Sequence, residues 1–143
     1  MNIHNPIIIV DEDQDDLRLL SDAHQDLGIK NPLITFQTCE EVLPSIQRMK
    51  LQPLLIICDY RFRTMNGLEL KRQLLEHKNP ELRQVPFIIW SSVVEPLHVK
   101  LAEDLDIQGF YLKPSTFVEL QEIYSSIIRQ WGYASRSSMY SRQ

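Results

Sequence analysis

Two stretches of the chain are apolar without interruption, Pro6-Ile7-Ile8-Ile9-Val10 and Leu54-Leu55-Ile56-Ile57-Cys58. Neither alternates with polar residues, so each predicts a strand buried on both faces, as in a parallel sheet. Three further runs, Leu33 to Gln37, Pro86 to Trp90 and Gly109 to Leu112, predict three more strands. Between them the period lengthens. Leu17, Leu20, Ala23, His24 and Leu27 share one helical face, with Asp15 and Asp16 at the positive end of the helix dipole and Gly28 as C-cap. Thr38-Cys39-Glu40-Glu41 has the form of a capping box and predicts a helix reaching Met49; Pro44 requires that it start late or kink.

Gly67 opens another helix, striped by Leu68, Leu70, Leu74 and Leu75 and ended by Asn79-Pro80. Pro96 to Leu105 carries Leu97, Leu101 and Leu105 at helical spacing on a polar segment. Thr116 to Glu119 forms a second capping box, and Phe117, Leu120, Ile123, Tyr124, Ile127, Ile128 and Trp131 stripe the last helix. Strand and helix therefore alternate five times, which implies α/β architecture with helices on both faces of a parallel sheet. Residues 1–131 read as one domain, and Gly132 to Gln143, rich in Ser and Arg and without periodicity, as a flexible tail.

Composition narrows the class. At 143 residues there is room for one ordinary domain. The net charge of −4 argues against a nucleic-acid surface, which needs a basic excess. No run approaches the length of a membrane span, and the N-terminus lacks a signal-peptide pattern, so a cytoplasmic protein is expected. Cys39 and Cys58 lack metal-ligand spacing and read as reduced packing residues.

Candidate chemistry lies where the strands end. In a parallel sheet all carboxyl ends share one edge, the usual location of sites in open α/β folds. That edge receives Asp11 and Glu12 from the first strand, Asp59 from the third, Ser91 from the fourth and Lys113 from the fifth. Each residue alone is an ordinary cap or turn former. Together, three carboxylates repel unless a cation joins them, and a hard divalent ion such as Mg²⁺ suits their oxygens. Asp59 can then stay ionised as a nucleophile toward a phosphoryl group, whose charge Lys113 and Ser91 would stabilise.

At this point the chain resembles the receiver domains of two-component response regulators, over roughly Ile7 to Trp131. The resemblance rests on Val10-Asp11-Glu12-Asp13, on Asp59 with the loop to Gly67, on Ile89-Trp90-Ser91-Ser92, and on Gly109-Phe110-Tyr111-Leu112-Lys113-Pro114. It implies a flavodoxin-like, doubly wound (βα)5 fold with strand order 2-1-3-4-5. It also implies phosphorylation of Asp59 by a histidine kinase or histidine phosphotransfer protein, in a self-catalysed, Mg²⁺-dependent reaction with slow hydrolysis afterwards. Glu12, Asp59 and the Arg61 carbonyl would touch Mg²⁺, Asp11 would hold it through water, and Lys113 would pair with the phosphoryl oxygens. Ser91 and Phe110 would be the switch pair, and Lys113-Pro114 a cis peptide. Output would pass to a downstream protein through a surface of helix four, strand five and helix five, from a monomer or a phosphorylation-dependent homodimer, with no nucleic acid or membrane involved.

Glu12, Arg63, Asn66 and Phe110 depart from the residues frequent in the family, and Arg61 and Val93 flank the site where they would tune water access. None removes a required group. A receiver-like interaction module that takes no phosphate is the alternative, but it predicts a missing acid, hydroxyl or lysine. A flavodoxin-like nucleotide binder would want a phosphate loop where Asp11-Glu12-Asp13-Gln14 stands, and a phosphohydrolase a second Asp where Arg61 stands.

Overall fold

The two uninterrupted apolar runs become adjacent central strands. The structure is a computed structural model and describes residues 4–61 and 64–134. The strands β1 (Ile7–Val10), β2 (Leu33–Phe36), β3 (Leu55–Asp59), β4 (Phe87–Ser91) and β5 (Gly109–Leu112) form one sheet in the order β2-β1-β3-β4-β5. Every pairing is parallel, with Val10 opposite Cys58, Asp59 opposite Trp90 and Ser91 opposite Leu112. The flavodoxin-like order is therefore present.

Alternation along each strand feeds two cores. Ile7, Ile9, Leu55, Ile57, Ile88 and Trp90 pack toward α1 (Gln14–Asp26) and α6 (Phe117–Ile127), against Leu20, Tyr124 and Ile127. Ile8, Val10, Ile56, Cys58, Phe87 and Ile89 pack on the other side, toward α2 (Val42–Met49) and α3 (Gly67–Leu75). Burial on both faces is why these strands carry no polar alternation.

The helices refine several expectations. Asp13 caps α1, accepting from the backbone N–H groups of Asp15 and Asp16. Leu27 is the C-cap and is exposed, while Gly28 takes the left-handed conformation (φ 66°) that an αL C′ position requires. The late start of α2 is the form adopted. Pro44 falls in its first turn, where its missing N–H costs no helical bond, and Glu41 makes no side-chain cap. A one-turn helix α4 (Pro80–Arg83), absent from the sequence reading, follows α3, with Asn79 as its cap. In α5 (Pro96–Asp104) the leucine stripe faces outward. Leu97 and Leu101 are exposed, while Ala102 is buried and His98 half-buried. After α6 the chain continues as a π-helical segment, Ile128–Ala134, with Gly132 buried against Leu54 and Leu55. The order thus extends past Trp131; the rest of the expected tail, residues 135–143, lies outside the described residues.

The buried His24 has two hydrogen-bond partners inside the core. His24 accepts at Nδ1 from the Tyr124 hydroxyl (2.7 Å) and donates from Nε2 to the Asn31 carbonyl (2.8 Å), tying α1 to α6. Burial lowers the His24 pKa from its ordinary value of 6.5, so the folded chain binds fewer protons at this site than the unfolded chain. The stability this contributes is complete above the unfolded value and is lost as pH falls from there through the folded one. The urea midpoint of the wild type should therefore fall between about pH 7 and about pH 5 more than that of His24→Gln. Tyr124→Phe, which leaves Nδ1 without a donor, should cost about 1–3 kcal/mol at neutral pH. Equal pH slopes in wild type and His24→Gln would contradict this account. Cys39 and Cys58 are buried free thiols with sulfurs 3.8 Å apart, and burial pushes the Cys58 thiol up in pKa, as a packing role requires.

Candidate functional site

The backbone ladder runs one residue past the strands. Asp11 N–H donates to the Phe36 carbonyl (2.9 Å), Tyr60 N–H to Trp90 (3.3 Å) and Lys113 N–H to Ser91 (2.8 Å). Side chains at the tips of β1, β3 and β5 are thereby held at one edge. Lys113 Nζ donates to Asp11 Oδ2 at 2.7 Å, Asp59 Oδ2 at 2.9 Å and Asp16 Oδ2 at 2.8 Å. An ammonium has three N–H donors, and each has a carboxylate.

Of the residues expected here, Asp11, Asp59 and Lys113 meet directly. Asp16 is the addition. It stands in the first turn of α1, where an acid has an ordinary helix-dipole explanation that hid it from a strand-end reading. Its place in the first turn of α1, the helix that directly follows Asp11 and β1, was the available signal. Ser91 is fully buried; its Oγ accepts from the Val93 N–H (3.3 Å) and makes no bond to the acids. Arg61 N–H donates to Asp59 Oδ1 (3.3 Å), while its guanidinium pairs with Glu95 (3.7 Å) at the start of α5. Glu12 is half-buried on the same loop as Asp11, with its carbonyl accepting from Gln37 (3.4 Å). Phe62 and Arg63 of the loop lie outside the described residues.

Phe110 sits on the opposite sheet face from Trp90. It is half-buried, with its ring 6.3 Å from Tyr60, which in turn stacks on His98 of α5 at 4.2 Å. One expectation is corrected: the Lys113–Pro114 bond is trans, since no cis peptide occurs among the described residues. Trans is the intrinsically favoured form of an X–Pro bond, and Lys113 reaches all three acids from it.

Electrostatics follow from crowding. Burial pushes the Asp11 carboxyl up to about 6, against the pull of the Lys113 hydrogen bond, and the Asp59 charge adds to the rise. Burial alone would lower Lys113, but its hydrogen bonds to Asp11 and Asp16 outweigh it and hold the ammonium above its ordinary value. The cluster therefore carries three carboxylates against one cation. Among the described residues no three His, Cys, Asp or Glu side chains form a ready-made metal cage. The donor chemistry still fits a hard divalent ion: the buried Asp11 and the Asp59 carboxylate offer oxygen ligands whose excess negative charge one ammonium leaves uncompensated.

A five-stranded parallel sheet with an Asp, Lys and Ser at one edge defines a class, and comparison with known proteins agrees. The response regulator receiver domain profile matches residues 7–125, and the chain belongs to that family. The fold is similar to that of the phosphorylated cyanobacterial phytochrome response regulator RcpA (19% identity, 92% of this chain and 96% of that one, TM-score 0.81). It is also similar to the Mn²⁺-bound form of response regulator Rcp1 (19%, 90% and 95%, 0.77) and to the chemotaxis protein CheY4 of Vibrio cholerae (18%, 87% and 98%, 0.71). A search of curated protein sequences found no match.

Proposed function

We propose that the protein is a phosphorylatable signalling switch. Asp59 takes a phosphoryl group from a histidine kinase or histidine phosphotransfer protein, and the change is passed to a protein partner. The observation that carries this reading is the Asp59 carboxylate held at the sheet edge with the Lys113 ammonium 2.9 Å from one of its oxygens. In the transfer, an Asp59 oxygen attacks phosphorus while the donor's P–N bond breaks, and the leaving imidazole takes up a proton. Lys113 is placed to offset the charge on the transferring oxygens, and Ser91 to donate to one of them once its hydroxyl turns from the Val93 N–H. Asp11, Glu12, Asp59 and the Arg61 carbonyl would hold Mg²⁺, which would supply further positive charge to the transferring oxygens; the Mn²⁺ in Rcp1 supports a divalent ion in this fold.

Output has a surface to use. Leu97 and Leu101 of α5, Leu112 of β5 and Val118 of α6 are all exposed and offer apolar side chains to a partner. In our reading, Ser91 and Phe110 move together on phosphorylation and change how that surface is presented. An unchanged Phe110 ring on addition of beryllofluoride and Mg²⁺ would remove that coupling. We place the protein in the cytoplasm with its kinase; no described helix is long and apolar enough to cross a membrane.

The reading as a whole is tested by incubation with acetyl phosphate and Mg²⁺. Wild type should label and Asp59→Asn should not. Equal labelling of the two would defeat it.

A further inference from the structure

Asp16 has no assigned part in phosphoryl transfer, yet it takes one of the three N–H donors of Lys113. We propose that Asp16 is a positioning residue that holds the third donor of Lys113 in the resting state and releases it to the phosphoryl group. This rests on the reading of Asp59 as phosphoacceptor. Lys113 is bound to Asp11 at 2.7 Å, Asp16 at 2.8 Å and Asp59 at 2.9 Å, so the ammonium has no donor left for an arriving anion. One acceptor must yield.

The three are unequal. The Asp11 side chain is fully buried, so losing its cation would leave a desolvated charge. Asp59 carries the incoming group, whose oxygens stay beside the same ammonium. The Asp16 side chain is about one-third exposed (33%), and Asp16 and Lys113 together border a cleft of about 120 Å³. Water can replace Lys113 at Asp16 at little cost, as at other solvent-reached ion pairs. Asp16 is therefore the partner given up. Its carboxylate also lies close enough to the acceptor site, through Lys113, to oppose a second anion there. On both grounds it sets how readily the site accepts a phosphoryl group, without touching phosphorus.

The test is the affinity for beryllofluoride with Mg²⁺ as a phosphoryl analogue, together with acetyl phosphate labelling. Asp16→Asn keeps the shape and removes the charge. It should bind the analogue about fivefold more tightly, the scale of one partly exposed ion pair. The donor concentration for half-maximal labelling should fall by a similar factor, with the maximal rate changed less. Asp16→Glu should behave like wild type, since it restores the charged partner. Asp15→Asn removes the same charge from a residue that pairs with Arg18 instead of Lys113, and should change affinity less than about twofold.

Weaker or unchanged analogue binding in Asp16→Asn would overturn the proposal, as would an equal gain in Asp15→Asn, which would reduce the effect to net charge. Failure of the underlying reading looks different: wild type itself would neither bind the analogue nor lose labelling on Asp59→Asn.

Discussion

Lys113→Met should lower folding stability by about 3 kcal/mol in the absence of divalent cations. The substitution keeps an unbranched apolar stem but leaves Asp11, Asp16 and Asp59 with no ammonium among them. Removing one partner of a buried charge pair typically costs about 3–5 kcal/mol, and the partial exposure of Asp16 places this cluster at the low end. Added Mg²⁺ should restore part of the loss by taking over the neutralisation. Urea unfolding with and without Mg²⁺ reads both effects. A variant as stable as wild type in chelator would mean that the acids do not depend on Lys113. Labelling by acetyl phosphate should fall steeply even where Mg²⁺ restores the fold, because the ammonium opposite the transferring oxygens is gone.

Gly67→Val should be about as costly, through packing alone. A Cβ on Gly67 would stand 2.9 Å from Ile89 Cδ1 and 3.1 Å from both the Asp59 carbonyl oxygen and Cys58 Sγ. The first contact belongs to a movable side chain, but the carbonyl is backbone of the strand that mounts the candidate nucleophile. Overpacking of this kind costs about 1–3 kcal/mol, with Val at the upper end and Ala at the lower. The strain falls on β3, so the labelling rate of Gly67→Ala should drop out of proportion to its small loss of stability. Full activity in a destabilised Gly67→Val would show that the tip of β3 does not depend on this approach.

Much of the fold was legible because local and global signals agreed. Unbroken Ile and Leu runs admit few readings besides a two-faced strand, and the register they imply brings Asp11, Asp59 and Lys113 to one edge. What the pattern missed has physical causes. The leucines of α5 follow helical spacing but face solvent, because spacing locates a stripe without saying which side the sheet takes. Lys71 was assigned no place in the core, yet it is buried with its ammonium 5.8 Å from the Phe87 ring, since a long stem can bury while the cation meets an aromatic face. Asp16 looked like a dipole acid until Lys113 was seen to bond it. The Lys113–Pro114 bond was expected cis only by resemblance, and no residue pattern requires it.

The claim on which the rest depends is that Asp59 is the nucleophile, and covalent mapping tests it most directly. After reaction with acetyl phosphate and Mg²⁺, borohydride reduces an aspartyl phosphate to homoserine, which marks the modified residue in a peptide digest. The account predicts homoserine at position 59 and nowhere else, and none in protein that was not exposed to the donor. Homoserine at Asp11 or Asp16, or phosphate retained on Ser91 with Asp59 intact, would contradict it.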